Sequence, residues 1–235
     1  MKIVSWNCAR GPLDTKLKAL DTQQADVAIL CEAPPAQESD QVKWFPSEGA
    51  PHLKLGVQVR VRGSYKLVSN GADHTGLPHC VNPVRVVGPL SFQLFAVWTW
   101  PAPSYVGAFA NALEAYDDLI AKGQVVIAGD FNGNPRDDKS RQRIKWTDQF
   151  ARLRRNQLVS AYHYQRGCAF GEEPEMTYVQ RHGMHKGFHI DYCFIPTAWA
   201  AHAKCSLGEA GSPCRMQSDH APVIVDVDEE GLKPQ

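Results

Sequence analysis

The sequence predicts an α/β protein that departs from a regular βαβ alternation, and three observations carry that expectation. Short apolar runs rich in Val and Ile recur along the chain and stop at single polar residues, as where Val125-Val126-Ile127-Ala128 meets Gly129-Asp130-Phe131-Asn132. Two segments, 12–20 and 104–121, place apolar residues at helical spacing. Between them several strand-like runs follow one another with no helix intervening, as a meander does. At 235 residues, 43% hydrophobic and 21% charged, the chain is expected to form one domain over 1–235 with a sizeable core.

In chain order, Ile3 to Trp6 reads as the first strand and ends in the polar turn Asn7-Cys8-Ala9-Arg10-Gly11. Pro12 opens a helix with Leu13, Leu17 and Leu20 on one face. Asp26 to Leu30 is a second apolar run, delivering Glu32 at its end. Residues 33–53, with four prolines, read as loop carrying an exposed Trp44-Phe45 pair. Leu55 to Arg62 alternates like a half-buried antiparallel strand, with Tyr65 to Ser69 as its hairpin partner. Val84 to Val87 and Phe92 to Trp98 are strands around Gly88-Pro89. The helix over 104–121 shows Val106, Phe109, Ala110, Leu113, Tyr116 and Ile120 on one face, with Ser104 as N-cap and Gly123 as stop. Strands at Val125 to Ala128, Leu158 to Tyr162, His189 to Ile195 and Pro222 to Val227 follow, and the tail Asp228 to Gln235 is expected to fray.

Lys and Arg balance Asp and Glu at 25 each, which argues against a protein that coats nucleic acid or membrane through its overall field. The seven cysteines form an odd set with no C-x-x-C pair, predicting reduced thiols and a reducing compartment. The chain enters a strand pattern at once and shows no apolar run of membrane-spanning length, so a cytoplasmic protein is expected.

Five strand ends hold polar groups: Asn7, Glu32, Asp130 with Asn132, Asp191, and Asp219 with His220. Oxygen-rich ligands without paired thiols suit a hard cation, Mg²⁺ or Mn²⁺, over zinc. His182, His185 and His189 lack carboxylate or thiol partners at zinc-ligand spacing. The ordered set Ser5-Trp6-Asn7, Leu30-Cys31-Glu32, Gly129-Asp130-Phe131-Asn132, Ile190-Asp191-Tyr192 and Ser218-Asp219-His220-Ala221-Pro222-Val223 resembles the endonuclease/exonuclease/phosphatase superfamily, from residue 3 to about 227. That resemblance implies a four-layer α/β sandwich, two mixed sheets face to face with helices outside and the site at one rim. It further implies Glu32 as principal Mg²⁺ ligand with Asn7 and Asp219 nearby. By the same resemblance Asp130 orients or deprotonates the attacking water, Asn132 holds phosphate or water, His220 contacts phosphate, and Asp191 orients and charges His220. Independently of the family, a carboxylate bonded to imidazole favours the imidazolium. Where family members often carry a phosphate-contacting His or Tyr, this chain has Trp98-Thr99-Trp100. Trp has only an N–H donor. Either Tyr105, Tyr178 or one of the three histidines fills that role, or transition-state stabilisation is weaker here.

The segment 136–155 holds eight Lys/Arg and three Asp, with Arg136 and Arg141 among the groups that could meet nucleic-acid phosphates. Trp44, Phe45, Trp98, Trp100 and Tyr105 are candidates for stacking on unpaired bases. The expected function is a Mg²⁺-dependent phosphodiesterase acting on nucleic acid. The alternatives are an enzyme for a small phosphoester or lipid headgroup, and a catalytically silent phosphate-binding module; no protein partner is specified.

Overall fold

A computed structural model describes residues 1–47, 53–69, 79–179, 187–209 and 211–232. In chain order the first half runs β1 (Lys2–Asn7), α1 (Leu13–Asp21), β2 (Val27–Ala33), β3 (Val42–Pro46), β4 (Gly56–Val61), β5 (Lys66–Val68), β6 (Val81–Val87), β7 (Phe92–Trp98), α2 (Tyr105–Ala115) and α3 (Asp117–Ile120). The second half runs β8 (Val125–Asp130), α4 (Trp146–Arg155), β9 (Leu158–Ser160), α5 (Ala161–Arg166), β10 (Tyr178–Val179), β11 (Gly187–Phe188), β12 (Asp191–Pro196), β13 (Ala203–Leu207), α6 (Pro213–Gln217) and β14 (Val223–Val227).

Two mixed six-stranded sheets result, in the orders β13-β14-β1-β2-β4-β3 and β5-β6-β7-β8-β12-β9. The alternation of side chains along each strand explains the layering. On β1 and β2, Ile3, Val27, Ile29 and Cys31 point into the core between the sheets, and Val4, Trp6, Ala28 and Leu30 point out against α1 and α6. On β8, Val126 and Ala128 join the same inter-sheet core, while Val125 and Ile127 meet α2 and α4. Both faces of the central strands are therefore dry, which is why Val125 to Ala128 is apolar without a break. The outcome is the four-layer arrangement that the motifs implied.

Several boundaries differ from the sequence-based expectation. Trp44 and Phe45 lie on edge strand β3, half-buried, with the Trp44 indole N–H donating to Ala33 O at 3.3 Å. The segment 65–69 is not a hairpin with β4. Its strand β5 pairs with β6 in the other sheet, because short-range alternation says which face is buried but not which partner lies alongside. Tyr162 belongs to α5. The long helix breaks at Tyr116 into α2 and α3 and ends before Gly123; Ser104 caps it as expected, accepting from Gly107 N. The tail is tied down through residue 232, with Glu229 taking the amino terminus and the Tyr65 hydroxyl, and Leu232 packing on the inter-sheet core. All seven cysteines are free and six are buried, and burial pushes Cys8 up to about 12, so these thiols stay protonated. No helix among the described residues is long and apolar enough to cross a membrane.

Candidate active site

Topology brings the polar strand ends to one rim. β1 and β2 run parallel, so Asn7 and Cys31 are register partners and Glu32 follows beside Asn7. β8 and β12 run antiparallel, so the last residue of one, Asp130, lies opposite the first of the other, Asp191. His220 precedes β14, which is antiparallel to β1, and so starts at the rim where β1 ends.

Local backbone features aim these groups. The β2–β4 register shifts between Leu30 and Ala33, and Glu32 within that irregularity has φ +58°. Such a bulge turns its side chain out of the pleat toward the cleft. Asn132 has φ +50°, and Gly129 has φ +150°. A Cβ at Gly129 would lie 1.9 Å from Val97 O, so β8 approaches β7 closely only because this residue is Gly. Gly129→Ala is therefore expected to destabilise the fold by roughly 2–4 kcal/mol, read from urea unfolding midpoints.

The side chains are linked by hydrogen bonds. The Asn7 amide donates to Asp130 Oδ2 at 2.9 Å and to Glu32 Oε1 at 3.3 Å, while its oxygen accepts from Ala9 N. Asn7 thus spans the two carboxylates as a donor. Asp130 Oδ1 accepts from Asn132 N at 2.8 Å, and the Asn132 amide donates to Thr99 O. His220 Nδ1 lies 2.9 Å from Asp191 Oδ2. One ligand atom each of Asp130, Asp191 and His220 fall within 4.8 Å of one another. Asn7, Arg10, Glu32, Asn132, Asp219 and His220 all line one cleft of about 430 Å³, together with Tyr178.

Burial sets the electrostatics. Asp130 is 1% exposed, and desolvation together with the Asp191 charge raises its pKa to about 7, against the opposing pull of His220 and Asn7. For His220, burial opposes the charged form, but the charge and hydrogen bond of Asp191 outweigh it and raise the pKa to about 9. His220 is thus an imidazolium at neutral pH, beside a carboxyl poised near neutrality.

A model of the Endonuclease/Exonuclease/phosphatase family matches residues 4–220. The chain belongs to that family. Its members hydrolyse phosphoesters. Among solved structures, the endonuclease domain of TRAS1, a telomere-specific non-LTR retrotransposon, superposes with TM-score 0.69 at 14% identity, covering 96% of this chain and 97% of that one. The 3' phosphatase NExo from Neisseria, bound to product DNA hairpin, gives 0.62 at 17%, covering 97% and 99%. An AP endonuclease from Leishmania major gives 0.65 at 16%, covering 95% and 86%. At these identities the likeness establishes the fold, two sheets with helices outside. No curated protein sequence gives a significant match.

Within this family member, the predicted residues divide. Asn7, Glu32, Asp130, Asn132, Asp191, Asp219 and His220 come together at the rim. Trp98 does not join them: it is 4% exposed in the inter-sheet core, edge-to-face with half-buried Trp100 at 5.0 Å, and presents no face for a substrate to stack on. Tyr105 opens α2 at the surface and feels the Asp130 charge, but is not among the residues lining the cleft. Arg136 and Arg141 are exposed and also outside the cleft lining. Arg152, Arg154 and Arg155 occupy the last turn of α4, where cations complement the helix dipole, and Arg152 pairs with Asp117 at 2.7 Å. His182 and His185 lie outside the described residues. His189 is buried.

Other contributors carried no strong sequence signal. Thr177, fully buried, accepts at Oγ1 from the backbone N–H groups of Ile190 and Asp191 and so sets the start of β12. Ser218 donates to Asn7 O at 2.7 Å and accepts from His220 N at 3.0 Å, stitching the His220 turn to β1. Ser218 lies in one of the five motifs, whereas Thr177 lies in none. Arg10, 3.6 Å from Glu32, and Tyr178, whose ring centroid is 4.7 Å from that of His220, complete the cleft.

Proposed function

We propose that this protein is a divalent-metal-dependent phosphodiesterase acting on nucleic acid. The observation that carries the reading is the buried cluster of a near-neutral carboxyl, Asp130, with Asp191 and an imidazolium, His220, the last of which lines an oxygen-rich cleft.

The chemistry follows from the side chains. Asp130, once ionised, is a base strong enough to take the proton of an attacking water at neutral pH, and its hydrogen bonds from Asn7 and from Asn132 N hold it in place. Asn132 stands at the cleft wall to hold that water or a phosphate oxygen. His220 keeps one N–H on Asp191 and directs its positive charge toward charge accumulating on phosphorus oxygens. The Asp191 carboxylate fixes the tautomer and stabilises the imidazolium.

The residues fit a hard cation. Glu32 and Asp219 bring two carboxylates to a cleft lined by no thiol, and Glu32 has part of its surface open while Arg10 offsets its charge. Glu32 and Asp219 would hold Mg²⁺ or Mn²⁺, with Asn7 positioning Glu32, and the ion would supply Lewis-acid charge at a phosphate oxygen. The tighter Asp130–Asp191–His220 cluster is the less suitable cation site, because His220 Nδ1 already shares its proton with Asp191.

Related structures in this fold include a phosphatase with product DNA bound and an AP endonuclease, which supports nucleic acid as the substrate class. The test is hydrolysis of single-stranded DNA, duplex, abasic duplex, RNA and small phosphoesters with Mg²⁺, Mn²⁺ or EDTA. Cleavage of a nucleic acid that EDTA abolishes is expected; turnover confined to small phosphoesters would move the substrate class to small molecules. Glu32→Gln is expected to weaken Mg²⁺ binding by roughly tenfold or more, measured by calorimetry, because a neutral amide replaces the principal carboxylate. Unchanged affinity would remove Glu32 from the metal site.

A further inference from the structure

The cleft has an aromatic side wall that continues into a second pocket. Tyr178 on β10 lines the cleft, and its cross-strand partner Phe188 on β11 stacks beside it, with ring centroids 6.3 Å apart and 26° between planes. Phe188 is 40% exposed and also lines an adjoining pocket of about 350 Å³ with Asn134, Arg136, Asp137, Met176 and His189.

One residue lining that pocket, His189, holds a buried ring nitrogen with no partner. His189 Nδ1 lies 2.9 Å from Glu175 O, and a carbonyl can only accept, so Nδ1 bears the proton and Nε2 is a lone pair. The side chain is 2% exposed and Nε2 has no hydrogen-bond partner. Burial lowers the His189 pKa, which keeps the ring neutral and Nε2 an acceptor. A buried acceptor left unpaired costs free energy that a ligand bearing an N–H would recover. The pocket is also lined by two carboxylates, Asp137 and Glu173, the latter already bonded to Asn134, His163 and Gly171 N, by a thioether from Met176 and by the ring of Phe188, together with the exposed Arg136 guanidinium.

Aromatic wall, acceptors within and cation outside fit a flat heteroaromatic ring with N–H donors, attached to a phosphate. A base within intact duplex has its faces covered by neighbours and its pairing edge occupied, so it cannot enter. We propose that the pocket behind Phe188 receives an unpaired nucleobase adjacent to the phosphate held in the cleft, so that single-stranded or frayed nucleic acid is preferred over intact duplex. Arg136 then meets the neighbouring phosphate, a role separate from the cleft itself. This inference rests on the phosphodiesterase reading and names its substrate form.

Two readouts test it. In metal-free protein, the indole introduced by Phe188→Trp is expected to change its emission, relative to wild type, on titration with a single-stranded oligonucleotide. The blunt duplex of the same sequence should need roughly tenfold higher concentration, and inorganic phosphate should give no change. In hydrolysis, Phe188→Ala is expected to lower the ratio of kcat/KM on single-stranded oligonucleotide to that on methyl p-nitrophenyl phosphate, which has no base, by roughly tenfold, with Phe188→Trp restoring it. Equal response to single strand and duplex, or an unchanged ratio, overturns the base pocket. Wild-type protein that hydrolyses neither substrate overturns the phosphodiesterase reading instead, while the metal-free titration still decides the pocket.

Discussion

Asp130→Asn is expected to lower turnover by roughly a hundredfold or more while the protein still folds, because the substitution keeps shape and removes the group proposed to take the proton of water. The pH profile distinguishes this from general damage. Asp130 is raised to about 7 by burial and by Asp191, so it must lose a proton before it can act as a base. Wild-type kcat/KM therefore rises with pH toward neutrality along an acidic limb, and a bound divalent cation, adding positive charge, moves that limb to lower pH. The asparagine variant loses the limb along with the rate. Stopped assays from pH 5 to 9 measure both; a variant that keeps the limb, at any rate, would assign the proton transfer to another residue.

His220→Gln is the second large effect, with turnover expected to fall by roughly 10²- to 10³-fold, the usual consequence of removing a preorganised charge from a developing oxyanion. Glutamine retains an N–H donor but no positive charge, so the loss reads the charge itself. In metal-free protein the imidazole proton titrates at about 9, against 6.5 for an ordinary histidine. A folded-state pKa above the unfolded one stabilises the native state fully below pH 6.5, and that contribution disappears as pH rises through about 9. Urea midpoints of wild type should therefore fall between pH 7 and 10 more steeply than those of His220→Gln, and an NMR titration of His220 gives the pKa directly. A histidine that titrates near 6.5 would show that Asp191 does not charge it.

Much of the rim was legible because strand chemistry is local. Both-face burial writes a continuous apolar run, and a core strand that stops at Gly129-Asp130-Phe131-Asn132 must present those groups where the sheet meets solvent. The five ordered motifs then named the family, and the same seven side chains meet at the rim. Trp98 does not take the place expected of it, for an equally physical reason. Trp98 sits on the last residue of β7, opposite Asp130, and a strand residue alternates between two buried layers here, so proximity to the rim in sequence does not make a side chain face it. Tyr178, one of the residues named for the phosphate-contacting role, does line the cleft, whereas its neighbour Phe188 comes from a two-residue strand that periodicity is too short to reveal.

By itself the sequence determined which residues have the chemistry, which segments are strands buried on both faces, and in what order the polar ends occur. Only the tertiary structure decided their meeting: Asn7 touches Asp130 across 123 positions, and Ser218 anchors to Asn7 across 211. It also decided the sheet to which β5 belongs, the bulge that turns Glu32 outward and the burial that lifts Asp130 to about 7. The reason is one of range. Side-chain period and turn chemistry act over a few residues and are written locally, whereas strand pairing and desolvation depend on what the rest of the chain packs alongside.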